Sequence, residues 1–180
     1  MRREQLMAKP ASMCVFQNAC DALAGVLTPL GFTYRKSKRE AWRQGKMFEH
    51  SVTFGTSRSV NSLPGHVHLE VRAMAWSTAL GDYRRRAGIE LPINEAVLFS
   101  TTVENIFRPA PPYVRYDVGD PDTRAEVIAR IAGVLRTEVL RAFDLVESPS
   151  ELRKATNAGS LPCLIPEEIR DYFACFGAER

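Results

Sequence analysis

Two hydrophobic periods, one following the other, constrain this chain more than any other feature of it. From Ser12 to Leu30 the apolar residues Val15, Ala19, Leu23, Val26 and Leu27 return at helical spacing, and Pro29 with Gly31 closes the run. From Phe32 the period drops to two. "FTYRKSK" and "REAWRQ" read as short strands, and "QGK" as a tight turn into "MFEHSVTFGTS". The loop "RSVNSLPG" then leads to "HVHLEVRAMAW". A period of two gives each strand one apolar and one wet face, so these segments specify a half-buried antiparallel meander.

Helix returns afterwards. Ser77 is placed to cap a helix through about Arg86, and two more strands are expected in "AVLFSTTVEN" and "YVRYDV", separated by "FRPAPP". Asp120 and Pro121 are expected to open a long helix with the stripe Val127, Ile128, Ile131, Leu135, Val139 and Phe143. Ser148 and Glu151 have capping-box spacing, and Pro166 starts a last helix with Ile169, Tyr172, Phe173 and Phe176 on its apolar face. The fold class is therefore α+β: an antiparallel β-meander sheet with helices packed on one face and a helical C-terminal third. Residues 1–11 form an N-terminal arm, 12–160 a single domain, and 161–180 a helical appendage packed on the domain or on a partner. With 180 residues, 45% of them hydrophobic, such a core needs no metal or disulfide staple.

The four cysteines, Cys14, Cys20, Cys163 and Cys175, contain no C-x-x-C pair and no zinc-ribbon spacing, and they read as reduced thiols. No apolar run is read as reaching the roughly 18 residues of a membrane helix. The N-terminus is interrupted by Gln17, Asn18 and Asp21 where a signal peptide would be apolar. A cytoplasmic chain without membrane contact is expected.

Three histidines raise the question of metal or proton chemistry. In "HVHLEVRA", Val67, Leu69, Val71 and Ala73 alternate with His66, His68, Glu70 and Arg72. In "MFEHSVTFGT", His50 travels with Phe48, Val52 and Phe54. Pairing the two strands across a 58–63 loop sets Val52 opposite about Leu69, Phe54 opposite about Val67, His50 beside Val71 and Arg72 opposite Glu49. His50 then faces the core, while His66 and His68 point away from it. A one-residue slip would join all three but turn the apolar set outward. His66 and His68 share a strand face with Glu70 as their nearest third ligand, a pattern that reads as plain surface, so no metal and no cofactor are assigned.

No P-loop, nucleophile elbow, dinucleotide fingerprint or H-E-x-x-H stands in the chain. Arg84, Arg85 and Arg86 before Gly88 are read as cations favoured by a helix C-terminus, with an anion site as the alternative. Charge is uneven. Residues 1–116 hold 16 Lys and Arg against 9 Asp and Glu, and residues 117–180 hold 8 against 12. The basic excess concentrates in "RKSKREAWRQGK" (35–46), where Arg35, Lys36, Lys38, Arg39, Arg43 and Lys46 surround Trp42.

The order of features resembles a family of small bacterial proteins known as domain-of-unknown-function family 4304. The parts that carry the resemblance are "LTPLGF" (27–32), "AWRQ", "HSVTFGTSR" (50–58), "VHLEVRAMAWSTALGDYR" (67–84) and the late Asp120-x-x-x-Arg124 helix running to "AFDLVESPSELRKA". The resemblance implies an α+β fold and transfers no catalytic residue. Three function classes follow. The first is a non-enzymatic module that binds another protein, of which a toxin-neutralising immunity protein is one form, with Arg35, Lys36, Lys38, Arg39, Trp42, Arg43 and Lys46 as contact surface. The second is a nucleic-acid binder using the same hairpin, opposed by the acidic C-terminal third. The third is a metal-dependent hydrolase built on His66, His68 and Glu70.

Four large apolar side chains in the last helix, each worth roughly 1.5–3 kcal/mol when fully buried, must find a packing surface. Deleting residues 164–180 is expected to lower the melting temperature or aggregate the chain. Unchanged melting and solubility of the truncated chain would contradict this.

Overall fold

A computed structural model describes residues 11–56, 65–89, 94–108 and 114–177. The expected N-terminal arm, apart from Ala11, and the expected 58–63 loop lie outside the described residues.

The first helix forms as α1, Ala11–Leu27, and continues as a 3-10 turn over Thr28–Leu30. Gly31 ends it at φ 86, a left-handed conformation that a side chain disfavours. Phe16, Ala19, Cys20, Leu23, Ala24 and Leu27 are its buried face. By length and composition Ala11–Leu30, 20 residues long, is apolar enough to cross a membrane, with a mean hydropathy of 1.2 in an 18-residue window. This corrects the expectation that no segment reaches that size. In the fold its apolar stripe is spent on the domain core.

The sheet consists of β1 (Thr33–Arg35), β2 (Glu40–Gln44), β3 (Glu49–Gly55), β4 (His68–Trp76), β5 (Val97–Thr102) and β6 (Tyr116–Asp117). Strands β1 to β5 pair in chain order, and β6 joins the start of β4; every pairing is antiparallel. The meander is thus present, with β6 only two residues long. Along β4, Leu69, Val71, Ala73 and Ala75 are buried, while His68, Glu70, Arg72, Met74 and Trp76 alternate with them.

The register between β3 and β4 differs from expectation. Val52 pairs with Ala73, Phe54 with Val71, His50 with Ala75, Glu49 with Trp76 and Arg72 with Thr53. The shift is four residues, because β3 ends at Gly55 and β4 starts only at His68. Being even, it leaves every side chain on its expected face. His50 is accordingly not beside Val71, and Arg72 meets no Glu49; it pairs at 3.1 Å with Glu70 of its own strand.

α2 (Thr78–Arg86) follows Ser77, which takes the extended N-cap conformation without a side-chain capping bond. Asp120 and Pro121 do not begin the long helix. The Asp120 carboxylate accepts from Asp122 N at 3.0 Å and Thr123 Oγ1 at 3.1 Å, closing a turn of its own, and α3 starts afterwards at Arg124. α3 (Arg124–Val134) passes through a π turn at Leu135–Val139 into α4 (Leu140–Val146). The π turn has a readable cause. Ile131, Leu135, Val139 and Phe143 are all fully buried, and three successive four-residue steps would drift about 120° around a regular helix. One wider turn absorbs the drift. Phe143 then reaches the centre of the core, stacked on His50 at 4.4 Å and within 6.1 Å of Phe32 and 6.0 Å of Phe99. α5 (Pro149–Asn157) opens as expected, with Ser148 accepting from Glu151 N.

The last helix, α6 (Pro166–Phe176), packs on its own domain. Tyr172 is fully buried, lies parallel to Phe48 at 5.9 Å, and donates from its hydroxyl to Val146 O at 2.8 Å. Arg84 fastens it further. That side chain is not a solvated helix-end cation but is fully buried: Nε donates to Asp171 Oδ2 at 2.9 Å, and Nη1 to Glu95 O at 2.9 Å and Val97 O at 2.8 Å. One guanidinium joins α2, the approach to β5, and α6. Removing one partner strands the other as a buried charge, so Arg84→Met is expected to lower unfolding free energy in urea by about 3–5 kcal/mol. The double variant Arg84→Met with Asp171→Leu is expected to recover part of that loss.

Candidate functional site

The pleat divides the sheet into two surfaces. Ala41, His50, Val52, Phe54, Val71, Ala73 and Ala75 face the helices and are buried. Among the described residues the other surface is open, most of its side chains being half-buried or exposed. In one row across it Trp42 pairs with Ser51, Ser51 with Met74 and Met74 with Ser100; in the next Gln44 pairs with Glu49 and Glu49 with Trp76. A third row runs Arg35, Glu40, Thr53, Arg72 and Thr102. Trp42, Met74 and Trp76 are half-buried, and Ser51 between Trp42 and Met74 is fully buried.

Trp42 is held from two sides. Its Nε1 donates to Glu49 Oε2 at 2.8 Å, and the Arg35 guanidinium lies 4.3 Å above its ring while also reaching Glu40 at 3.4 Å. Among the described residues the face carries Arg35 and Arg72 against Glu40, Glu49 and Glu70, a mixed surface with no basic excess.

The seven residues singled out in the 35–46 segment do not form one surface. Arg35 and Trp42 stand on the open face. Lys36 pairs with Asp21 at 2.6 Å, which together with Gln17 and Tyr34 holds that carboxyl below its ordinary range despite burial. Arg39, at φ 52, lays its guanidinium 4.9 Å from the Phe16 ring. Arg43 has the opposite parity from Trp42 and points toward the helices, donating to Leu30 O at 3.3 Å, resting 4.8 Å from the Phe32 ring and approaching Asp144 at 3.7 Å. Lys38 and Lys46 are exposed in the turns at opposite ends of β2. Met74 and Trp76, not singled out in the sequence, belong to the face, as does Arg72, expected there opposite Glu49 but paired with Thr53. The alternation in "HVHLEVRAMAW" was the signal that places them there.

The histidines separate as expected. His50 is fully buried; its Nδ1 accepts from Arg43 Nη2 at 3.2 Å, leaving the proton on Nε2, 3.1 Å from Glu147 Oε1. Burial, reinforced by the Arg43 charge, pushes its pKa down to about 3, so the ring is neutral. Glu147 also accepts from Met47 N at 2.7 Å and Phe48 N at 3.1 Å. Gly45 is needed beside it, since a Cβ there would overlap the Glu147 carboxylate. This cluster ties the β2–β3 turn to the end of α4. On the other surface His66 and His68 meet Asp117, not Glu70: His66 Nδ1 bonds to Asp117 Oδ2. Donor atoms of all three lie within 4.8 Å of one another.

A cleft of about 590 Å³ opens beside β5, lined by Thr101, Asn105, Arg108 and Cys163 among others. Its thiol is pushed up to about 12 by burial, as is that of Cys20, and neither is a thiolate nucleophile at neutral pH. Compared with known families, curated proteins and solved structures, the chain finds no match in any of the three.

Because the folded state keeps His50 neutral while the unfolded chain protonates near 6.5, stability is fully present above about pH 6.5 and is lost as pH falls toward about 3. The expected slope rises from about 0.7 kcal/mol per pH unit at pH 6.5 toward about 1.4 near pH 5. Comparing unfolding free energies of the wild type and His50→Gln between pH 6.5 and 5 checks it, and identical slopes would contradict it.

Proposed function

We propose that this protein is a non-enzymatic module that binds another protein through the open face of its sheet. The observation that carries the reading is the composition of that face: Trp42, Met74 and Trp76, half-buried, among Arg35, Arg72, Glu40, Glu49 and Glu70. Tryptophan, methionine and arginine are the residues enriched at the centres of protein interfaces. An indole already fixed by Glu49 and Arg35 loses little further freedom on contact, which favours affinity. The matching partner presents an apolar centre ringed by charges of both signs, and a toxin with such a surface is one form of it.

A sheet with aromatic residues and arginines also describes single-strand nucleic-acid platforms. Three carboxylates against two arginines oppose phosphate, so the face favours protein. Lys38 and Lys46, exposed in the turns at the two ends of β2, contribute to steering a partner in, not to its grip.

The test is to capture a partner from the native host, remake it and titrate it. Trp42→Ala and Trp76→Ala are expected to weaken binding about 30-fold or more each, the size of an interface hot spot. Reversal of Lys38 and Lys46 to Glu is expected to change the on-rate and its salt dependence far more than the lifetime of the complex. Equal affinity of both tryptophan variants and the wild type overturns the reading, and so does tight oligonucleotide binding with a steep salt slope.

A further inference from the structure

We propose that His66, His68 and Asp117 form a binding site for one divalent transition-metal ion of the zinc, cobalt and nickel class, which clamps β6 to the start of β4. Residues two apart on a strand share a face, so the two imidazole rings stand nearly parallel, 6.0 Å apart at 7°. The third donor comes from another strand. β6 pairs with β4 through His68 opposite Asp117, and this pairing carries a carboxylate to the histidines from 51 residues away.

The carboxylate is oriented before any ion arrives. Asp117 Oδ1 accepts from Val67 N at 3.0 Å and Gly119 N at 2.8 Å, which leaves Oδ2 turned toward His66. These bonds, with that from His66, hold its pKa below the ordinary carboxylate range against the opposing effect of burial. The backbone around it is fixed as well. Val118 N donates to Val67 O at 2.8 Å, and Arg124 donates to Val118 O at 2.7 Å and Gly119 O at 2.8 Å. The two segments lie so close that a Cβ on Gly119 would overlap the Gly65 carbonyl oxygen. Outer contacts of this kind, which set a ligand's orientation, characterise metal-binding carboxylates.

The donor chemistry names the ion. Two imidazoles with one carboxylate suit borderline divalent metals, whereas calcium and magnesium take oxygen ligands. Three protein ligands leave a coordination position for water. With ligand bonds of about 2.0–2.1 Å, tetrahedral donors stand about 3.3 Å apart. The present spread of up to 4.8 Å closes by rotation of the His66 side chain, which is half exposed. The ion takes the place of the hydrogen bond between His66 Nδ1 and Asp117 Oδ2.

The test uses the full chain without a histidine tag, stripped by chelator and titrated with Zn²⁺ and with Co²⁺. One ion per chain is expected, with a melting temperature that rises on zinc addition and returns with chelator. His66→Ala, His68→Ala and Asp117→Asn are each expected to weaken binding on the order of 100-fold, the last with the backbone bonds to Oδ1 retained. Cys14→Ser and Glu70→Gln, which change competing donors, are expected to bind as the wild type does. Circular dichroism of each variant separates loss of the site from loss of the fold. The proposal is overturned if the folded chain shows no saturable binding below about 1 mM. It is equally overturned if binding survives His68→Ala combined with Asp117→Asn, or disappears with Cys14→Ser.

Discussion

β4 is paired along both edges, with β3 on one side and β5 on the other, β6 joins it at its start, and its side chains alternate without interruption from His68 to Trp76. A strand in that position has no freedom to rotate its faces. Leu69, Val71, Ala73 and Ala75 fix which side receives α1 and the α3–α4 helix. By the same act Arg72, Met74 and Trp76 are fixed on the open side, and His68 beside Asp117. The core, the candidate interface and the metal-ligating cluster are three consequences of one parity, and a slip by one residue would exchange all of them at once.

Within the core, polar groups do the joining that apolar contact leaves unspecific. Arg84 with Asp171 is a buried pair and His50 with Glu147 a partly buried one, each linking segments far apart in the chain. Buried ionic groups cost desolvation and are poor sources of net stability. Their effect here is directional. An apolar helix such as α6 has many ways to lie on an apolar surface, but a guanidinium that must meet Asp171 and two backbone carbonyls together permits one. His50 avoids the charge altogether by staying neutral, and so a carboxylate and a guanidinium approach it from opposite sides without a third charge in the core.

Much of this was readable from residues alone, and the failures have distinct causes. The alternation in "MFEHSVTFGT" was enough to send His50 inward, and that in "HVHLEVRAMAW" to send His66 and His68 outward. It did not set the register, because any even slip preserves every face, and the true pairing differs by four residues. Asp117 was missed as the neighbour of His66 and His68 because β6 is too short to announce itself and its partner lies 51 residues earlier. Arg84 was misread because basic residues near a helix end are ordinary; nothing local marks the one that turns inward to an Asp171 that lies 87 residues on. The scattering of the basic hairpin was legible and passed over: Arg43 stands one residue from Trp42 on a strand, so the two had to face opposite ways.

The π turn between α3 and α4 has a consequence for how this chain tolerates change in length. Twelve residues separate Ile131 from Phe143. Eleven would close three turns of a regular helix to within about 20°. The helix therefore holds one residue beyond what its inward face requires, stored in a single wide turn whose Arg136 and Thr137 are exposed. In an ordinary helix a deletion turns everything downstream by about 100° and empties the core. Here the loss of one residue between Leu135 and Val139 would restore regular geometry and leave Phe143 where it is. The surplus makes this the one place in the helix where the chain can shorten by a residue and keep its interior.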